Sequence, residues 1–75
     1  MLIEKGELYT DKHSVGPFRL YLALEDTESI DDIVKVVDLT RDAYVYLTSA
    51  TVITFEGELD EELREVANKY SYITE

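Results

Sequence analysis

No cysteine and no tryptophan occur in the 75 residues. Without thiols there is no disulfide and no thiolate metal centre, so the usual staples of a small secreted domain are excluded. Met, His and Pro occur once each and Gly three times. So few breakers leave no stretch for a linker or flexible tail, and no repeat or low-complexity segment is visible. No apolar run approaches the roughly 20 residues of a membrane helix. The N-terminus, Met1-Leu2-Ile3-Glu4-Lys5, meets charge too early for a secretory signal. The expectation is a single soluble domain spanning residues 1–75, cytoplasmic and without cofactor or metal. A chain this short hides only about 60% of the surface its unfolded form exposes. One core then supplies roughly 3–5 kcal/mol, and packing or oligomerisation must do the rest.

Positive charge is the other scarcity. Seven Lys/Arg face seventeen Asp/Glu, a formal net charge of −10. The first 24 residues sum to zero. Residues 25–42 carry seven carboxylates against Lys35 and Arg41, or −5. Ala43 to Phe55 has no charge. Residues 56–75 carry seven carboxylates against Arg64 and Lys69, again −5. An excess of this sign repels nucleic-acid phosphates and anionic membrane surfaces, and no two cations are adjacent to form a local basic patch. Direct nucleic-acid binding and membrane binding are therefore not expected. Disorder is not expected either, because 45% of residues are hydrophobic and six Tyr and two Phe are present.

Periodicity supplies a coarse order of elements. Leu2 to Tyr9 holds a weak strand signal broken by Gly6, and Thr10 to Pro17 reads as a loop. In Phe18–Leu24, Phe18, Leu20, Leu22 and Leu24 point one way and Arg19, Tyr21 and Ala23 the other, as in a half-buried strand. Ser29 with Asp32 resembles a capping pair. Ile30, Ile33, Val34 and Val37 follow at one-face helical spacing, which predicts a helix over 30–38. Their β-branching supports a strand instead. Ala43–Phe55 suits two short strands joined near Ser49-Ala50, or one bent strand. Leu59, Leu63, Val66, Ala67 and Tyr70 predict an amphipathic helix over 59–70. Asp60–Arg64 and Glu65–Lys69 are potential i,i+4 pairs on it. Tyr72–Glu75 is either a short strand or a frayed end. The expected fold is α+β, a two-layer sandwich of order ββαββα with two helices on one face of an antiparallel sheet. The alternative is a small all-β barrel with a C-terminal helix. Ile30, Ile33, Leu63 and Val66 are expected in the core.

Motifs for catalysis are missing. Glu25, Asp26, Glu28, Asp31 and Asp32 lack the glycine and the spacing of a calcium loop, and the cluster Glu56, Glu58, Asp60, Glu61 and Glu62 is equally unlike one. Asp11, His13 and Ser14 are the residue types of a hydrolytic triad, but one short loop cannot align them as a relay. There is no phosphate-cradling glycine loop, no nucleophile elbow and no zinc-protease helix motif. The protein is not expected to be an enzyme.

Interaction is the remaining class. Tyr-rich, charge-depleted surface marks interface cores. Tyr44 and Tyr46, joined by Tyr21, are therefore the expected face of a homodimer. Asp31, Asp32, Glu58, Glu61, Glu62 and Glu65 are the expected contacts to another protein with a basic surface. In its sharpest form this describes a DNA mimic, an inhibitor of the kind made by phage and mobile elements. The alternative is an acidic accessory subunit whose charge serves only solubility. A small-molecule binder has no specific support in the sequence.

Overall fold

Residues 2–13 and 16–74 are described by the structure, a computed structural model. Five short runs become strands and one run becomes a helix: β1 (Leu8–Asp11), β2 (Leu20–Ala23), β3 (Ile33–Asp38), β4 (Ala43–Thr48), β5 (Val52–Thr54) and α1 (Glu61–Thr74). A single 3-10 turn, Ser49–Thr51, joins β4 to β5. All pairings are antiparallel, in the spatial order β4-β3-β2-β1-β5. The first four strands form a meander, and β5 then returns to the outer side of β1. The fold is thus α+β, with one sheet and one α-helix among the described residues.

Both faces of this sheet are buried, and that explains its irregular apolar pattern. One core gathers Tyr9, Tyr21, Ala23, Val34, Val36 and Val52, with Val45 and Leu47 packed against it. All five strands contribute to it, so the sheet curls around this face. Ile3 closes the core from the N-terminal segment, and Thr27 holds it there: Ile3 N–H donates to Thr27 Oγ1 at 2.8 Å, and Thr27 N–H to the Ile3 carbonyl at 2.9 Å. Gly6 makes the turn before β1 at φ +88°, a conformation that favours glycine. The second core lies under α1. Leu20, Leu22, Val37, Leu39, Ala67 and Tyr70 form it, and Leu8, Leu24, Phe55, Leu59, Leu63 and Val66 pack around them. Each Leu, Val or Phe among them contributes about 1.5–3 kcal/mol to the extent that it is fully buried.

The helix expected over 30–38 is a strand, so there are not two helices and the order ββαββα does not hold. Nor is the sheet a closed barrel: β4 and β5 are its two edges and do not pair with each other. The i, i+3, i+4, i+7 spacing is a by-product of burial on both faces. Val34 and Val36 enter the curled core, while Val37 enters the core under α1. The apparent capping pair makes a turn instead, in which Asp32 Oδ2 accepts the N–H groups of Glu28 and Ser29 at 2.9 and 3.0 Å. Ile30 and Ile33, expected in the core, are exposed. Strand 20–23 is buried on both sides, not one. In 43–55 the two-strand reading holds, with the junction at Ser49–Thr51.

Strand and helix readings of β3 separate experimentally. Ile33 is 71% exposed and Val34 1%. Ile33→Asp should change the stability of the dilute, monomeric chain by less than about 0.5 kcal/mol, while Val34→Ala should cost about 2 kcal/mol, measured by urea unfolding. A helix would bury both residues and penalise both changes.

Candidate functional site

The polar architecture centres on the β3–β4 hairpin. Asp38 ends β3 with its side chain fully buried. Its carboxylate accepts the Thr40 N–H at 3.0 Å, the Thr40 hydroxyl and Arg41 Nε at 2.6 Å, and Arg19 Nε lies 3.7 Å away. Burial pushes this carboxyl up, but the bonds from Thr40 and Arg41 and the Arg41 charge outweigh it, holding its pKa below the ordinary value. Asp42 closes the hairpin at φ 51°, a left-handed conformation that Asp tolerates better than most residues. It accepts Lys69 Nζ at 2.7 Å and the Tyr70 hydroxyl, tying α1 to the hairpin. Tyr70 meets Tyr44 edge-on, with ring centroids 5.2 Å apart at 85°. Lys35 Nζ lies 4.2 Å from the Tyr44 ring centroid.

Beside β4 runs a recess of about 600 Å³, lined by Val45, Tyr46, Leu47 and Thr48 on one side and by Asp11, Tyr21 and Thr51 among others. The Tyr21 hydroxyl donates to Asp11 Oδ1 at 2.8 Å. Burial, then the bond to Asp11 and its charge, push the Tyr21 phenol up to about 12. The bond to Asp42, and then burial, do the same for Tyr70, also to about 12.

The tyrosines grouped as one dimer face do not share one. Lys35 pairs with Tyr46 and Val37 with Tyr44, so both tyrosines stand on the helix side. Tyr21 is buried on the opposite side, in the curled core. Tyr44 and Tyr46 are exposed.

The six acidic candidates are all exposed, but they form two groups. Asp31 and Asp32 precede the first residue of β3. Glu62 shares a second recess with Arg41, Asp42 and Asp60, beyond the other end of that strand. Six strand residues span about 20 Å. Glu58, Glu61, Glu62 and Glu65 gather on and before the first turns of α1, where the helix dipole favours negative charge. Asp60 caps this helix through Oδ1, which accepts the Leu63 N–H at 2.8 Å. The expected Asp60–Arg64 and Glu65–Lys69 pairs give way to other contacts: Arg64 reaches the Leu59 carbonyl at 3.3 Å, and Lys69 reaches Asp42.

Asp11 is bonded to Tyr21 and His13 is exposed, while Ser14 lies outside the described residues. Among the described residues, no three His, Cys, Asp or Glu are placed to hold a metal ion, and no buried side-chain polar atom lacks a partner. No helix among them is long and apolar enough to cross a membrane. Sequence reasoning missed the Asp38 and Asp42 networks. Their signal was the polar run Thr40-Arg41-Asp42 between two β-branched segments, a turn signature. Compared with protein-family models, curated proteins and solved structures, the chain matches none.

Two titrations check these networks. In an alkaline titration followed by phenolate absorbance, two of the six tyrosines should ionise near pH 12, namely Tyr21 and Tyr70. Their raised values stabilise the fold below about pH 10, and that contribution is lost between about pH 10 and 12. Asp38 has the opposite sign. Its contribution is complete above its ordinary value of 3.8 and disappears as pH falls through the lowered one. Asp38→Ala should remove that acid dependence and cost about 1–2 kcal/mol, because it removes the acceptor bonded by Thr40 and Arg41.

Proposed function

We propose that this protein is a small protein-interaction module that engages a basic surface on another protein through the outward carboxylates of α1. One observation carries this reading. Glu58, Glu61, Glu62 and Glu65 are exposed together, while Leu59, Leu63, Val66 and Ala67 take the packed side. Among the described residues no cation forms an ion pair with them: Arg19 and Arg41 pair with Asp38, Lys69 pairs with Asp42, and Arg64 donates to a backbone carbonyl. Glu61 and Glu65 stand one turn apart with Glu62 beside them, so the helix holds the charges at fixed spacing.

Such a surface raises association rates by steering an oppositely charged partner, and the effect falls as salt rises. A nucleic-acid-binding protein is one class that carries a groove of the required sign. In that case the mimicry of phosphates rests on α1 rather than on all six carboxylates, since Asp31 and Asp32 stand at the far end of β3. An acidic accessory subunit remains the alternative, in which the same charges only keep the protein soluble.

The test compares the native chain with a Glu61→Lys, Glu65→Lys variant as baits in an extract of the source cell. The reading expects a basic-surfaced protein retained by the native chain at low salt. It should be lost on the double variant and at about 0.3 M salt, where the Debye length shortens to a few ångströms. Identical recovery on both baits would overturn the assignment of α1 as the contact surface.

A further inference from the structure

Edge strands normally carry a device against pairing with another chain, such as a charge, a proline, a bulge or simple shortness. β5 is protected by shortness, with three residues. β4 has six residues, contains no charge and no proline, and keeps unbroken register with β3. Its outer side has no strand partner among the described residues. The recess beside it is walled by four consecutive residues, Val45 to Thr48. Strand side chains alternate between faces, so a wall of consecutive residues is the backbone edge itself. Beside that edge stand two side chains a monomer has little reason to expose, Ile33 at 71% and Tyr46 at 69%. They occupy diagonal positions on neighbouring strands.

We infer that β4 pairs antiparallel with β4 of a second copy of this chain, joining two five-stranded sheets into one of ten strands. A two-fold axis perpendicular to the sheet makes this contact isologous and keeps each face on its own side. Tyr44 and Tyr46 of each copy then line the helix-side face across the seam, and Val45 and Leu47 continue the opposite face over the recess.

Charge selects a second copy as the occupant. Each chain carries −10, and 43–55 is its longest uncharged stretch, so the strands of two copies meet here without a carboxylate in the ladder. Thr48 pairs with Ile33, and the Ser49 hydroxyl donates to the Ile30 carbonyl, which places Asp31 and Asp32 at the C-terminal end of β4. Asp42 precedes its other end, so antiparallel pairing leaves only a repulsion between strand ends, which salt screens. This contact does not use α1, and its failure would leave the basic-partner reading untouched.

Sedimentation equilibrium at about 100 μM decides the matter. The expected mass is twice the 8.6 kDa of one chain. The dissociation constant should fall several-fold from about 20 to 200 mM NaCl, because salt screens the repulsion between the two acidic chains. That is opposite to the response expected of the α1 contact. Tyr46→Lys should weaken the dimer about tenfold or more, and Ile53→Lys on the other edge should leave it unchanged. Amide hydrogen exchange provides a check independent of variants: β4 protection should decrease on dilution to the monomer. A monomer at every salt concentration would overturn the inference, as would a dimer insensitive to Tyr46→Lys, one broken by Ile53→Lys, or β4 protection independent of concentration. A monomer whose β4 is instead protected by an added extended peptide would reassign the edge to a heterologous partner, and would also overturn it.

Discussion

A sheet with apolar side chains on both faces must be covered twice, and in 75 residues there is little chain with which to do it. This constraint organises the molecule. One face is covered by α1. The other is covered by the sheet itself, which curls until side chains from both edge strands reach the same core, and by Ile3 arriving from the N-terminal segment. A flat sheet of these strands would leave one set of valines in water. The curl in turn leaves β4 beside a recess that reaches Asp11, Tyr21 and Thr51, and it does not bring β4 and β5 together to pair. The open edge and the recess are thus products of the same packing requirement that stabilises the fold.

Much of this was legible in the residues. The C-terminal helix was, because only one of its faces is apolar and 3.6-residue periodicity survives when one side stays wet. The division of 43–55 into two strands was legible from β-branched and aromatic content interrupted by Ser49-Ala50. β3 was not, because periodicity reports exposure to water and β3 has almost none at Val34, Val36 and Val37. A strand covered on both faces writes a continuous apolar run, and any such run contains helical spacings by chance. The clue that favoured a strand was chemical rather than periodic, namely five β-branched residues between positions 30 and 37.

The candidate sites divided in the same way. Exposure of the carboxylates followed from their abundance, and the sequence placed Glu61, Glu62 and Glu65 on the wet side of α1. It could not show that Tyr21 turns away from Tyr44 and Tyr46, since which face a strand presents depends on register and on what covers each side. Nor could it show where the cations go. Arg19, Arg41 and Lys69 converge on Asp38 and Asp42 around one hairpin. Balanced charge is thereby gathered at that corner, and the acidity of the rest of the surface is greater than an even spread of the seven cations would leave.

The return of β5 to β1 also bears on how the chain folds. Tyr9 lies opposite Thr54 and Asp11 opposite Val52, so this ladder joins segments more than forty residues apart, whereas the β3–β4 hairpin closes over four. Closing a long loop costs entropy before any contact repays it. The meander can form from near neighbours, but the curled core is complete only when Val52 arrives from the far end of the chain. The longest-range ladder of the sheet thus rests on three residue pairs at its shortest strand, and Phe55, which follows β5, completes the surface on which α1 packs.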